Sequence, residues 1–511
     1  MIQLLGVIQL LVFSQLNIFF NIIVDAIYGY YCITITLCKP GTMKKCSLLF
    51  ALTILFSGAR AQGILRDWYG ILSVSGTSLH LVFHITKVAD KYSTTMDSPD
   101  QGANGIPIDS TQVKGDNVTI IGSKYGLKYS GTFSADSNKI FGTFQQGAYS
   151  TALTLFPTKT TVVTEKAKTR PQDPTDFPYK QEEVRFVNPV AKDTLGGTLT
   201  LPSDGKVSRI VILITGSGPQ NRNEELLDHR PFLVWSDWLT RNGIAVLRYD
   251  DRGIAKSTGN FKTATSADFA DDVEAAVRYI KSRSDLSQLS IGLMGHSEGG
   301  MIAPIVASRD KDVKFIVLLA GPGVPIVDLM LKQNEDQMKL LGNSNADITK
   351  ALIKTKALYK LIVENAALPT AELKIRVDSL LYRQLKPLEA ENHGKPSIEE
   401  NINNTDRVLL GPWFRYFLAF DPRDYLAKVK CPVLALDGSL DMQVNAEANL
   451  ASIQKTLIAS GNKQVQIVEF PGMNHLFQLA KTGSVAEYSQ IETTVDPVVL
   501  KKVSDWISKL Q

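Results

Sequence analysis

The sequence contains little cysteine and little histidine, and it carries almost no net charge. Its 511 residues include four cysteines and six histidines, and 55 basic residues are nearly balanced by 51 acidic ones. A chain without a basic patch is not expected to bind nucleic acid, and this balance would not steer acidic substrates towards it. The sequence also lacks internal repeats and long low-complexity tracts, which favours ordinary globular domains.

Three of the four cysteines lie in an apolar N-terminal region that has the pattern of a secretory signal. Residues 43–61 begin with a methionine and two lysines, continue as an apolar run and end in Ala-Arg-Ala, so cleavage is expected before Gln62. Cleavage would leave Cys431 as the sole cysteine, which excludes an intramolecular disulfide. We therefore expect an exported protein, periplasmic or extracellular, whose stability comes from core packing.

Residues 1–42 precede this signal and allow two interpretations. The apolar run at 4–38 is long enough to cross a bilayer, but it includes several polar residues and has no basic residue before it. It is either a membrane anchor or a translated stretch upstream of a true start at Met43. The complete signal that begins at Met43 favours the second interpretation, which predicts no contact with the membrane after cleavage.

The remaining chain, about 450 residues, is long enough to bury two hydrophobic cores. Short alternating apolar runs predict an antiparallel β domain at 62–157, and the Lys-, Thr- and Pro-rich segment at 158–181 predicts a linker. Strand and helix patterns then alternate, which predicts an α/β domain with a mostly parallel sheet and helices on both faces. This domain comprises residues 182–324 and 425–511, and a helical insertion at 325–424 is predicted to cap it.

The pentapeptide GHSEG at residues 295–299 lies between a predicted buried strand and a predicted helix. A sharp turn from strand to helix needs glycines on both sides of its central residue, because the tight backbone leaves no room for side chains there. The pattern Gly-x-Ser-x-Gly in this context predicts a nucleophile elbow with Ser297 as the nucleophile.

A serine nucleophile requires a base and an acid that orients the base, and candidates for both follow predicted strands further along the chain. Asp441 follows the predicted strand CPVLAL and is the expected acid, with Asp437 as the alternative. His475 follows the last predicted strand, VQIVEF, and is the expected base. In this assignment His475 takes the proton of Ser297 during attack and returns it to the leaving group.

Two backbone N–H groups are expected to bind the oxyanion that forms during acyl transfer. One belongs to Glu298, the residue after the nucleophile. The other is assigned to Ser217, with Gly218 as the alternative, in the GSGP loop that follows the predicted strand at 210–214.

Other polar residues near these motifs are interpreted as structural. Asp251 and Arg252 are expected to form an ion pair that braces a loop near the elbow. His296 is expected to pack with its side chain directed away from Ser297. His229 precedes a predicted helix, and it either lines the pocket or has a surface or capping role.

Substrate specificity is expected to lie in the cap, because such insertions exclude water and shape the substrate pocket. The most aromatic stretch of the cap, GPWFRYF at 411–417, includes Trp413 and Phe414. These two rings are candidates for substrate binding. An equally weighted alternative is that they seat the cap on the core.

These motifs together resemble those of α/β-hydrolases in the serine-aminopeptidase-like (S33-type) group, which includes bacterial carboxylesterase D. The motifs are SGP at 217–219, DRG at 251–253, GHSEGG at 295–300, Asp441 and the pair NH at 474–475. The resemblance extends over residues 182–511 and implies an α/β-hydrolase fold. It further implies hydrolysis of small carboxylic esters, typically of short acyl chains, through a serine acyl-enzyme, with no metal and no organic cofactor.

Two other functions remain open at this stage. An exopeptidase would use the same three residues, and a non-catalytic binding protein would retain the fold without the reaction. The second is disfavoured, because all three predicted triad residues follow the expected elements. The sequence does not indicate the natural acyl and alcohol groups, the oligomeric state or the role of the β domain.

Overall fold

The computed structural model describes residues 63–74, 77–88, 90–98, 103–146, 149–158, 169–203, 205–387 and 398–510. These residues fall into two compact units, formed mainly by residues 63–158 and by residues 169–384 with 402–510. The predicted signal at 43–61 and the apolar run at 4–38 lie outside the described residues. No helix in the described part of the chain is long and apolar enough to cross a membrane.

The N-terminal unit is all β. Its strands pair in chain order and antiparallel, in a four-stranded sheet from β1 to β4 and a five-stranded sheet from β5 to β9. The strands are β1 Asp67–Val74, β2 Thr77–Val88, β3 Lys91–Ser98, β4 Ala103–Pro107, β5 Ser110–Lys114, β6 Asn117–Gly122, β7 Leu127–Ser134, β8 Lys139–Gln146 and β9 Tyr149–Leu155.

Backbone hydrogen bonds join the two sheets at both ends. The N–H of Ile108 donates to the carbonyl oxygen of Thr94 at 3.2 Å, and Tyr69 and Phe156 exchange two bonds of 2.8 Å. The strands therefore follow one another around a closed meander. Because side chains alternate along a strand, every second residue faces a single core. This core includes Trp68, Phe83, Tyr129, Ile140 and Phe144.

The second unit is built on an eight-stranded sheet in the order β10-β11-β13-β12-β14-β15-β16-β17. Strand β11 runs antiparallel to both of its neighbours, β10 and β13. The other six strands, β13-β12-β14-β15-β16-β17 in sheet order, run parallel to one another. The strands are β10 Lys180–Val187, β11 Thr194–Leu201, β12 Arg209–Ile214, β13 Ala245–Tyr249, β14 Ser290–His296, β15 Val313–Leu319, β16 Val433–Gly438 and β17 Val465–Phe470. The central strands are buried almost throughout, which explains their continuous apolar runs.

Helices cover both faces of this sheet, and a helical cap is inserted between β15 and β16. The helices are α1 Pro231–Arg241, α2 Ser266–Ser282, α3 Glu298–Ala307, α4 Ile326–Leu340, α5 Asn345–Glu364, α6 Thr370–Leu385, α7 Ile398–Leu409, α8 Pro412–Leu418, α9 Arg423–Leu426, α10 Ala446–Ala459 and α11 Pro497–Lys509. This arrangement is an α/β-hydrolase fold preceded by an all-β region, so the predicted fold class is confirmed.

Helix α8 connects the cap with the core. It packs against α4 and α5 of the cap and against α2, which covers the sheet. Within the cap, the ring of Phe414 on α8 meets Tyr359 on α5 edge to face, with centroids 6.3 Å apart. The short helix α8 thus carries the aromatic stretch to the boundary between cap and core.

The segment predicted as a linker overlaps the second unit. Arg170 is buried, and its guanidinium donates to the carbonyl oxygens of Leu227, Ser489 and Ile491 at 3.0–3.1 Å. A guanidinium has five N–H donors, so one side chain binds several carbonyl groups at once. Residues from 170 onwards are therefore held on the core, and strand β10 already begins at Lys180.

Candidate active site

Ser297 occupies the turn between β14 and α3. Its φ of 54° and ψ of −116° lie outside the regions that residues with a Cβ normally adopt, so the turn is strained. Two hydrogen bonds of 2.9 Å hold it, one from the N–H of Ser297 to the carbonyl oxygen of Leu319 and one from the N–H of Gly300 to that of Ser297. This is the backbone geometry expected of a nucleophile elbow.

The glycines on both sides of Ser297 are required by close packing. A Cβ on Gly295 would overlap the carbonyl oxygen of Gly299, and a Cβ on Gly299 would overlap that of Ile214 in β12. Any larger residue would push the turn away from the sheet, since protein interiors leave no space of this size.

His475 and Asp441 meet in the interior. The Nδ1 atom of His475 lies 2.5 Å from Oδ2 of Asp441, and Oδ1 accepts the N–H groups of Gln443 and Val444 at 2.7 and 2.8 Å. Burial by itself would raise the pKa of Asp441, but His475, a side-chain hydrogen bond with Asp437 and the backbone N–H of Val444 lower it below its usual value. The ionised carboxylate is therefore favoured, and it orients the imidazole.

Asp437, the alternative acid, lies within β16 and does not contact His475. It is fully buried, and its Oδ1 accepts the N–H of Gly438 at 2.8 Å. Burial and the negative charge of Asp441 raise its pKa well above the usual value. The structure thus brings Asp441, rather than Asp437, to the imidazole of His475.

His296 connects the turn with the loop that carries His475. The two imidazole rings have centroids 4.7 Å apart, and Nε2 of His296 lies 3.1 Å from the carbonyl oxygen of His475. His296 is buried and packs against the ring of His475, the candidate base, a contact that the sequence does not predict. Strands β14 and β17 are parallel and end at the same edge of the sheet, so the last residue of β14 faces the loop after β17.

The GSGP loop lies against Ser297, since a Cβ on Gly216 would be 3.3 Å from the Cβ of Ser297. The N–H of Gly216 donates to Oε1 of Glu224 at 2.7 Å. The N–H groups of Ser217 and Gly218 have no hydrogen-bond partner among the residues that the structure describes. These free N–H groups include the one that the sequence assigns to the oxyanion.

Glu298 supplies the other N–H group assigned to the oxyanion. It is the first residue of α3, where the N–H has no partner within the helix. Together with Gly216 and Gly218, Glu298 also lines a small cavity behind the turn. The two predicted oxyanion donors therefore belong to segments that face each other.

Trp413 links the cap to Glu298. Its indole N–H donates to Oε1 of Glu298 at 2.8 Å, and the hydroxyl of Ser266 donates to the same oxygen at 2.6 Å. The Trp413 ring also stacks on Phe417, with centroids 4.9 Å apart. Of the two aromatic residues predicted to bind substrate, Trp413 contacts the residue after Ser297, whereas Phe414 is buried inside the cap.

Asp251 and Arg252 do not pair with each other as predicted. Arg252 donates from Nε to Asp272 at 2.7 Å, whereas Asp251 accepts the hydroxyl of Thr215 at 2.7 Å and the N–H of Gln220 at 2.8 Å. Adjacent residues on a turn leave it in different directions, so each finds its own partner. Asp251 thereby holds both ends of the GSGP loop.

His229 is neither at the surface nor a cap. It is fully buried, with Nδ1 3.0 Å from the hydroxyl of Thr494 and Nε2 2.8 Å from the carbonyl oxygen of Tyr488. Both ring nitrogens are thus engaged in a structural contact between loops.

A separate pocket of about 470 Å³ opens on the cap. Its lining residues are Ala366, Pro412, Arg415, Tyr416, Ala419, Phe420, Asp421, Asp424 and Tyr425, and they include none of the predicted triad. Among the described residues, no group of three or more His, Cys, Asp or Glu side chains is placed to hold a metal ion.

Residues 233–372, which include the turn at Ser297, match the family model "Serine aminopeptidase, S33". The chain is 24% identical to Esterase EstD of Thermotoga maritima over 322 residues, which are 62% of this chain and 66% of EstD. It is 27% identical to the uncharacterized protein YfhR of Escherichia coli K12 over 149 residues, 28% of this chain and 47% of YfhR. The matched region thus spans about two thirds of EstD and about half of YfhR.

Among solved structures, the esterase Pf2001 of Pyrococcus furiosus aligns with a TM-score of 0.39 at 17% identity, covering 66% of this chain and 92% of that one. The predicted resemblance to α/β-hydrolases of the serine-aminopeptidase-like group is confirmed by the family match and by the similarity to EstD.

Proposed function

We propose that this protein is an exported serine hydrolase that cleaves small carboxylic esters of short acyl chains, with Ser297, His475 and Asp441 as its catalytic triad. The observation that carries the proposal is the buried 2.5 Å contact between His475 and Asp441 beside the strained turn of Ser297. The similarity to a protein named an esterase supports esters as the substrate class.

In the proposed reaction, Oγ of Ser297 attacks the ester carbonyl carbon while Nε2 of His475 takes its proton. The N–H groups of Glu298 and Ser217 bind the oxyanion of the tetrahedral intermediate. The intermediate collapses, and the alcohol leaves with the proton from His475. Water then attacks the acyl group on Ser297 by the same steps, which releases the carboxylic acid.

Asp441 has an orienting role in this scheme. A hydrogen bond from Nδ1 to the carboxylate keeps the proton on that nitrogen and leaves Nε2 free to act as a base. The two N–H groups on Oδ1 hold the carboxylate in place, so the imidazole has one preferred orientation.

The proposal is tested by hydrolysis of p-nitrophenyl acetate, butyrate and octanoate. We expect turnover that is fastest on the short chains and that Ser297→Ala abolishes. Ser308→Ala, at the other end of α3, is the matched control and should leave the rate unchanged, because its hydroxyl donates to Ile305 within the helix. Hydrolysis that survives Ser297→Ala would refute the assignment of the nucleophile.

A serine exopeptidase is the second candidate, because the matching family model bears the name of an aminopeptidase. Alanyl and prolyl p-nitroanilides distinguish the two activities. Ester turnover without anilide turnover supports the esterase. Anilide turnover of similar efficiency that is lost in Ser297→Ala would assign the protein to the peptidases.

Export is part of the proposal and is supported by the sequence of residues 43–61. Fractionation of expressing cells followed by N-terminal sequencing provides the test. A mature protein that begins at Gln62 is the expected result. A chain that starts upstream of Met43 and sediments with membranes would instead favour the anchor at residues 4–38.

A further inference from the structure

A buried ion pair lies beside the proposed triad, formed by Glu224 and His296. The two side chains are 6% and 10% exposed, and Oε1 of Glu224 lies 2.9 Å from Nδ1 of His296. The same oxygen accepts the N–H of Gly216 at 2.7 Å. On its other side, His296 contacts the carbonyl oxygen of His475 through Nε2 at 3.1 Å. A single chain of contacts therefore runs from the GSGP loop to the loop of His475.

The acceptors around His296 favour its protonated form. Both ring nitrogens face oxygen atoms that accept hydrogen bonds, a carboxylate and a backbone carbonyl. A neutral imidazole has one N–H group, so only the imidazolium donates to both. Burial by itself lowers the pKa of His296, but the charge and hydrogen bond of Glu224 raise it above its usual value.

Glu224 is itself held in an unusual conformation. Its φ of 53° lies in the left-handed region, and its Oε2 is buried without a hydrogen-bond partner among the described residues. The carboxylate is therefore fixed through Oε1 alone, by Gly216 and His296. Such strain and such an unpaired oxygen cost stability, and sites of this kind occur where the geometry serves function.

We propose that Glu224 and His296 act together as positioning residues, which hold the oxyanion loop and the loop of His475 in register around Ser297. This inference rests on the proposed serine hydrolase function. Glu224 fixes Gly216, the residue before the proposed oxyanion donor Ser217, and His296 fixes the backbone of the proposed base. Neither side chain is required to touch the substrate.

The ion pair also reduces electrostatic repulsion of the oxyanion. A buried carboxylate next to Gly216 would repel the negative charge that develops on the neighbouring oxyanion, and such repulsion is strong where water is excluded. The imidazolium of His296 neutralises this carboxylate. The loop is thus anchored by a charged group without leaving a net negative charge beside the reaction.

The test compares Glu224→Gln, His296→Gln and the double variant with the wild-type protein on p-nitrophenyl butyrate. Because misplaced oxyanion donors weaken binding of the transition state more than that of the substrate, kcat should fall by about 10- to 100-fold with KM changed by less than about threefold. The double variant should lose little more than the worse single variant, since the two residues act as one unit.

Glu225→Gln is the matched control. Glu225 neighbours Glu224 in the same loop but pairs with Asn223 and Arg230 instead, and its variant should retain the wild-type kcat. Near-ultraviolet circular dichroism and the melting temperature of each variant identify any that do not fold. If Glu224→Gln does not fold, His296→Gln alone decides the outcome.

Folded variants with a kcat within about threefold of wild type would overturn the inference, as would losses that simply multiply in the double variant. A rise in KM at constant kcat would overturn it as well. The Ser297→Ala protein separates this result from the proposed function. If Ser297→Ala remains active, the nucleophile assignment fails; if it is inactive while Glu224→Gln is fully active, only the positioning role fails.

Discussion

The two units of this protein each place a histidine beside carboxylates, in very different surroundings. In the β unit, His84 lies between Asp67 at 2.7 Å and Asp97 at 3.0 Å, and its side chain is 31% exposed. In the α/β unit, His475 lies 2.5 Å from Asp441, and these side chains are 3% and 0% exposed. Water screens the first cluster, whereas the second contact forms where charges interact strongly and desolvation is costly.

This difference shows how hydrogen bonds stabilise a charge that is buried away from water. Asp441 accepts two backbone N–H groups in addition to its contact with His475, which offsets the loss of water. Asp97, whose side chain is 23% exposed, accepts one such bond, from Gly105 at 2.7 Å, and retains access to solvent. We therefore expect changes to the buried contacts to affect catalysis strongly, and changes to the exposed cluster to have a small effect on stability.

The largest expected effect comes from Asp441→Asn. Loss of the carboxylate removes the group that fixes the proton on Nδ1 of His475, so kcat should fall by about 10³- to 10⁴-fold. Asp437→Asn is the comparison, because Asp437 is equally buried and interacts with Asp441 but does not contact His475. Its raised pKa favours the neutral form, which Asn resembles, so its loss should stay below about tenfold. Steady-state kinetics on p-nitrophenyl acetate measure both. Equal losses in the two variants would contradict the assignment of the acid.

Asp251→Asn should have the next largest effect. Oδ1 of Asp251 accepts the hydroxyl of Thr215 and Oδ2 accepts the N–H of Gln220, whereas Asn has a single side-chain oxygen and so loses one of these bonds. We expect kcat to fall by about 10- to 50-fold. Asp285→Asn, which breaks an exposed pair with Arg283, provides the comparison and should not change kcat. An unchanged kcat in Asp251→Asn would show that the loop keeps its position without this carboxylate.

Trp413→Phe should have a smaller effect. The substitution keeps an aromatic ring that stacks on Phe417 but removes the hydrogen bond to Glu298, and we expect about a tenfold loss of kcat, or roughly 1.4 kcal/mol. Trp238→Phe removes a comparable bond to Ser504 on α11 and should leave kcat unchanged. A rise in KM alone would instead assign Trp413 to substrate binding, one of the two roles that the sequence left open.

The smallest effect is expected at His84. Although partial burial lowers its pKa, the contacts with Asp67 and Asp97 raise it overall. These contacts therefore stabilise the folded state fully below the unfolded pKa of about 6.5. Their contribution is lost as the pH rises through the pKa of His84 in the folded state. His84→Gln should cost less than about 1 kcal/mol, and only at low pH.

Hydrogen exchange of the β2 amides at pH 5.5 and at pH 8.5 measures this difference. Faster exchange in His84→Gln at the lower pH alone is the expected result. An equal loss of protection at both values would show that the ring stabilises β2 by packing rather than by its charge.

Local patterns predicted much of the fold and of the site. The apolar runs that became β12, β14 and β17 were assigned to within a few residues, because a strand buried on both faces must be apolar throughout. The turn at Ser297 was predicted for a similar reason, since its glycines and its backbone strain are set by residues within a few positions of one another. Ser297, Asp441 and His475 were each placed by the strand that precedes them.

Contacts between distant segments were not predicted. Glu224 and Glu225 are adjacent and chemically identical, and no local pattern tells which of them enters the interior. The pairing of Glu224 with His296, 72 residues away, and that of Trp413 with Glu298, 115 residues away, arise only when the strands and the cap have packed. The contact of His296 with His475 was not predicted for the same reason.

The sequence by itself therefore determined the order of elements, the fold class and the residue types at the ends of the strands, because these follow from hydrophobic periodicity and from the steric demands of short turns. The tertiary structure alone decided what His296 contacts, which carboxylates hold the GSGP loop and what the cap aromatics contact. Each of these depends on burial and on distances between remote segments, and burial sets both the cost of a charge and the strength of its partner's attraction.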